Sequence, residues 1–124
     1  MKGLIKITEA EWLIMKTLWV NETLTSPEII EMLKTDSSWR PTTIQTLLSR
    51  LVKKGAVGVI KETKSYRYYP IVIEEQLRKE ETETLIDKIY NGSKKLFIKS
   101  FINDVDLTEE DIQELKKMLD NKRG

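Results

Sequence analysis

A mainly α fold with one small β-hairpin is what these 124 residues predict. Three observations predict it. Between Thr8 and Gly55 the apolar residues recur at helical spacing in three stretches, each bounded by start and stop signals. Directly after Gly55 the period drops to 2 over two short runs, Ala56–Lys61 and Tyr66–Ile71, joined by the polar tip Glu62-Thr63-Lys64-Ser65. From Glu74 onward the spacing is helical again.

The first helix opens at Thr8, three residues before Glu11, which is the spacing of a capping box. Ala10, Leu13, Ile14, Thr17 and Leu18 supply its apolar face, widened by Trp12, Met15 and Trp19, and Asn21-Glu22 ends it. Leu24 stands alone in a short extended link. Ser26-Pro27 starts the second helix, with Ser as N-cap and Pro at the first helical position. Its buried side is expected from Ile29, Ile30, Met32 and Leu33, and it stops near Thr35, before a turn at Asp36-Ser37-Ser38. The third helix begins at Pro41 and closes at Gly55, whose freedom at positive φ suits a helix terminus. The strands follow, with Val57 and Val59 on one face, Tyr66 and Tyr68 on one face, and Pro70 at a strand end. A polar helix is predicted over 74–90, broken by Asn91-Gly92. Then come the apolar stretch KKLFIKSFINDVDL and a last helix capped by Thr108, with acids in its first turn.

Helix, short link, helix, turn, helix and hairpin is the order of a winged helix-turn-helix, whose third helix is the one placed in a DNA groove. The residues of that helix agree with such a role. Ile44, Leu47, Leu48, Leu51 and Val52 form its inner face. The outer face carries Thr42, Thr43, Gln45, Thr46, Ser49 and Arg50, with Lys53 beyond, and no acid. Hydroxyls donate or accept, Gln pairs with adenine and Arg with guanine, so these six are the candidate base-reading residues. Net charge is only +1, but residues 39–69 hold 7 cations against one acid, Glu62. Such a local basic patch is the footprint of a polyanion. Arg40, Lys53, Lys54, Lys61, Lys64 and Arg67 are therefore candidate phosphate contacts, which set position rather than sequence.

Other chemistries are poorly served. The chain has no cysteine and no histidine. That removes disulfides, thiol catalysis, the usual zinc ligands and the commonest general base. The acids fall in helical charge runs such as EEQLRKEETE, as on a solvated face. No nucleophile–base pair, phosphate loop or metal cluster is apparent, so neither catalysis nor a cofactor is expected. The N-terminus has no signal-peptide pattern and no apolar run is long enough to span a bilayer, so the expectation is a cytoplasmic chain without membrane insertion.

The charge divides with the architecture. Residues 1–72 hold 11 Lys+Arg and 7 Asp+Glu, and residues 73–124 hold 10 and 13. The first segment is assigned to the winged domain and the second to a helical dimerisation domain. Its stretch 93–119 is too short and too apolar to close a core alone. Leu96, Phe97, Phe101, Ile102, Val105, Ile112, Leu115 and Leu119 are the residues expected at the contact between two copies. A two-fold pair of readers calls for a palindromic operator with half-sites about one helical turn apart.

The stretches ITEAEWLIMKTLW, WRPTTIQTLLSRLVKKG and YRYYPIV resemble the penicillinase-repressor family (BlaI/MecI, with the copper-responsive CopY branch). The likeness extends to FINDVDLTEEDIQELKKML, similar to the family's dimerisation tail. The resemblance implies a homodimeric repressor with an intertwined helical C-terminal domain, bound to double-stranded operators built from TACA/TGTA inverted repeats. DNA contacts would fall on Thr42, Thr43, Gln45, Thr46 and Arg50. In the β-lactam branch a membrane sensor-protease triggers cleavage of the repressor in its dimerisation domain. The implied cleavage site here is Ser100-Phe101. Three departures accompany the likeness. The methicillin-branch repressor has Lys and Arg where this chain has Thr42 and Gln45, the family's scissile pair is Asn-Phe rather than Ser-Phe, and the cysteine motif of the copper branch is absent. The competing reading is a winged-helix protein-interaction adaptor without sequence-specific DNA binding. An adaptor has no need of an acid-free helix face inside a basic segment.

Overall fold

The computed structural model describes residues 5–34, 38–62 and 64–123. Its elements are α1 (Glu9–Asn21), β1 (Leu24–Thr25), α2 (Ser26–Leu33), α3 (Pro41–Lys54), β2 (Val57–Lys61), β3 (Tyr66–Pro70), α4 (Glu74–Ile89), α5 (Lys94–Asp104) and α6 (Glu109–Lys122). The chain is mainly helical with a small antiparallel sheet, as its periodicities require. It divides into two compact units, Met1–Glu80 and Glu81–Gly124, with the division inside α4.

In the first unit α1, α2 and α3 enclose one core. Its fully buried members include Ile14, Met15 and Leu18 from α1, Ile29 from α2, and Ile44, Leu48 and Leu51 from α3, with Val57 and Leu77 joining from β2 and α4. Each such side chain contributes roughly 1.5–3 kcal/mol relative to an exposed one. The inner row of α1 runs Glu11, Ile14, Met15 and Leu18. Met15, expected on the flank, is therefore central, while Ala10 and Leu13 are only partly buried at the edge. In α2 the buried pair is Ile29 and Leu33, while Met32, expected inside, is 42% exposed.

The N-cap of α2 is Thr25, not Ser26. Thr25 accepts from the Glu28 N–H and Glu28 returns a bond to the Thr25 N–H, a full capping box. Ser26-Pro27 gave the more familiar start signal, but Pro is as well placed one residue further in, where its missing N–H is still unneeded. The helix stops at Leu33, and the turn expected at 36–38 falls largely on residues outside those described. The α1 capping box forms as its spacing requires, with the Glu11 carboxylate accepting from the Thr8 N–H at 2.9 Å. Gly55 closes α3 at φ 85°, and its N–H reaches the carbonyls of Leu51 and Val52.

The sheet has three strands, in the order β1-β3-β2. The link around Leu24 is thus a strand, paired antiparallel with β3 as Leu24↔Tyr68 and Thr25↔Arg67. Two residues are too few to show a period, so nothing local marked them. The hairpin itself pairs Val57↔Pro70 through Lys61↔Tyr66. Trp19, packed edge-on against Trp12 at 5.6 Å, donates its indole N–H to the Val72 carbonyl at 3.0 Å. That bond holds the chain leaving β3 against α1.

In the second unit, Asn91 (φ 53°) and Gly92 (φ 81°) turn the chain after α4. The Ser93 hydroxyl caps α5, and Tyr90 meets Phe97 edge-on at 5.4 Å. No side chain of α5 or α6 is buried. Leu96, Phe101, Ile102, Val105 and Leu119 are exposed, and Phe97, Ile112 and Leu115 are half-buried.

Candidate nucleic-acid interface

The helix α3 has a sharp division of faces. Ile44, Leu47, Leu48 and Leu51 are buried. Thr42, Thr43, Gln45, Thr46, Ser49, Arg50 and Lys53 are all exposed. The apolar spacing causes this, since burying one row at i, i+3, i+4 and i+7 turns the opposite row to solvent. The Thr46 hydroxyl donates to the Thr42 carbonyl at 2.9 Å, so its oxygen is left as an acceptor. Arg40 holds the N-cap position without a side-chain cap bond and is exposed.

The six expected phosphate contacts separate into two groups. Arg40, Lys53, Lys61 and Lys64 are exposed, with Lys61 standing 5.7 Å from the centre of the Tyr66 ring. Lys54 and Arg67 are engaged within the domain. The Lys54 ammonium bonds the Glu11 Oε1 at 2.5 Å and the Lys6 carbonyl at 2.7 Å. It ties the end of α3 to the start of α1. Arg67 bonds the Thr23 hydroxyl at 3.3 Å and pairs with Glu62 at 3.5 Å. A run of cations along a sequence does not say which of them already has an internal partner.

Glu11 is the residue that sequence reasoning undervalued. Its spacing from Thr8 predicts a cap, yet it is also fully buried, and among the described residues its Oε2 has no hydrogen-bond partner. Burial pushes its pKa up. The Lys54 hydrogen bond, the Thr8 N–H and the Lys54 charge together outweigh that, and the carboxyl lies below its ordinary 4.5. Its place in the row with Ile14, Met15 and Leu18 was the available signal, because a cap that also lies on the buried face needs a cation.

Among the described residues no group of His, Cys, Asp or Glu could hold a metal ion, and no helix is long and apolar enough to cross a membrane.

The family model described as "Penicillinase repressor" matches residues 7–121. The chain belongs to the penicillinase repressor family. It is 32% identical over 117 residues to the methicillin resistance regulatory protein MecI of Staphylococcus aureus (strain N315), covering 94% of this chain and 95% of that one. It is 32% identical over 124 residues to the penicillinase repressor of Bacillus licheniformis, covering 100% and 97%. Among solved structures it is similar to the Bacillus licheniformis BlaI monomeric form in complex with the blaP half-operator. The TM-score is 0.53 and the identity 40%, over 60% of this chain and 92% of that one. Penicillinase repressors thus match this chain over nearly its whole length, and the winged helix-turn-helix reading of its first unit agrees with the fold of that relative.

Proposed function

We propose that the chain is a homodimeric transcriptional repressor that binds palindromic operators of the TACA/TGTA type and controls β-lactamase or related resistance genes. One observation carries the reading. The exposed face of α3 presents hydroxyls, an amide and cations without a single acid, in a family with a relative solved on its half-operator. Such a face supplies donors and acceptors for base edges and leaves phosphates unopposed. The exposed apolar residues of α5 and α6 support the dimer, because a second copy would bury surface that water now covers. Two readers joined in one molecule gain affinity through effective concentration.

The signal that ends repression has to come from elsewhere. The chain has no thiol and no imidazole to titrate or oxidise. Cleavage near Ser100-Phe101, triggered by a membrane sensor-protease, would separate the paired tails and with them the paired readers.

Titration of a fluorescent operator duplex at low and moderate salt tests the reading. Tight binding that prefers the operator over a scrambled duplex is expected. Equal, weak binding of both would leave the adaptor reading in its place.

A further inference from the structure

Arg67 lies at the root of the wing. Its backbone pairs on one side with Thr25 of β1 and on the other with Ile60 of β2. Outward from this point the sheet loses its third strand, and only β2 and β3 continue. A two-stranded ribbon is marginal in water without further support. The part that projects carries Lys61 and Lys64, both exposed. Their position depends on what holds the ribbon.

The Arg67 side chain reaches both sides of that root. Nη1 donates to the Thr23 hydroxyl at 3.3 Å, in the link between α1 and β1. Nε lies 3.5 Å from Glu62 Oε1, just past the end of β2. A guanidinium has donors in a rigid fork and serves two such partners at once, which an ammonium on a flexible stem does poorly. Glu62 is otherwise hard to explain. It is the one acid among residues 39–69, and a free carboxylate beside phosphate-seeking cations would weaken the attraction. Paired with Arg67, it becomes one end of a brace.

We infer that Arg67 is a positioning residue, whose guanidinium braces the wing through Glu62 and Thr23 against the link that feeds α2, and that it is not a phosphate ligand. The inference rests on the DNA-binding reading and reassigns one of its six cations.

Operator titrations of the full chain at several salt concentrations separate the two roles, with wild-type binding as the control for the reading itself. The variants are Arg67→Gln, Arg67→Lys and Glu62→Gln. Exposed ion pairs contribute little to stability, so the variants should fold. A positioning role predicts that Arg67→Gln weakens binding about tenfold, equivalent to ~1.4 kcal/mol, with an unchanged slope of log K against log salt. Arg67→Lys should fail to restore affinity, and Glu62→Gln should also weaken binding. A phosphate ligand predicts the reverse on each count. The slope would fall by about 0.9 per lost contact, Lys would restore affinity, and removing the Glu62 charge would tighten binding. That pattern would overturn the inference. Amide exchange of the wing needs no DNA and stands even if the wild type fails to bind. Faster exchange at residues 60–66 in Arg67→Gln is expected, and unchanged exchange would overturn the brace.

Discussion

Arg50 and Lys53 stand one turn apart on α3, both exposed, and the proposed function gives them different tasks. Arg50→Ala should cost about 1–3 kcal/mol of operator binding, concentrated at one base position. Lys53→Ala should weaken every duplex alike and lower the salt slope by about one unit. Titrations against operator and scrambled duplexes distinguish the two, and unchanged affinity in both variants would remove α3 from the groove. Glu11 makes a prediction about stability instead. Its carboxyl is held below 4.5 in the folded chain, so its ion pair stabilises the fold above that pH. The contribution is lost as pH falls from there through the folded value. Thermal unfolding of wild type and Glu11→Gln should therefore differ by a constant margin at pH 5–7, and the margin should shrink below pH ~4.5. A margin that grew on acidification would contradict the assigned pairing with Lys54.

Where a single element decides an outcome, the wing is the place. Gly58 faces Tyr69 across the β2–β3 ladder, and a methyl group on Gly58 would run into the Tyr69 ring. Gly58→Ala should displace that ring and cost about 1–3 kcal/mol in denaturant unfolding, the usual cost of overpacking. A variant as stable as wild type would mean that Tyr69 swings aside freely. α1 and α3 were legible because each carried both a period and a boundary: Thr8 with Glu11 for the one, Pro41 and Gly55 for the other; α2 had its period, but its cap lies one residue before the Ser-Pro signal, at Thr25. The same holds for the face of α3, which follows from its buried row alone. β1 was not legible, since its two residues become a strand only by meeting Tyr68 and Arg67. The engagement of Lys54 and Arg67 was hidden for a related reason. Glu11, Lys6 and Thr23 are 43 or more residues from the cations they engage, and no local pattern encodes such a pairing; only Glu62, five residues before Arg67 across the hairpin, was within local reach.

At the scale of the whole molecule the tail governs. Phe101 is 46% exposed and Ile102 47% in the single chain, and the proposed dimer covers both. Phe101→Asp would place a carboxylate without a partner in that contact, which an interface does not accommodate cheaply. The variant should sediment as a monomer at micromolar concentration, keep its first unit folded, and bind the operator far more weakly. Persistence of the dimer would show that α5 contributes little to pairing. The end of repression has its own test. Immunoblots of tagged protein before and after exposure to a β-lactam should show a fragment cut near Ser100-Phe101. A full-length band that persists while the target promoter turns on would exclude proteolysis as the switch.

The pairing of β1 with β3 also has a consequence in time. Leu24 and Thr25 take their places only against Tyr68 and Arg67, and the ribosome delivers those partners some 40 residues later. At roughly 5–20 residues per second, α3 follows α1 and α2 first, and the strand that pairs with β1 emerges only after several seconds. Through that interval the faces that become the core, Ile14, Met15, Leu18 and Ile29, have no sheet to close over them. Closure of this unit on the ribosome should therefore wait for the wing and for Leu77 beyond it, and a nascent chain stalled before Tyr66 should remain open to protease while one released past Glu80 should not.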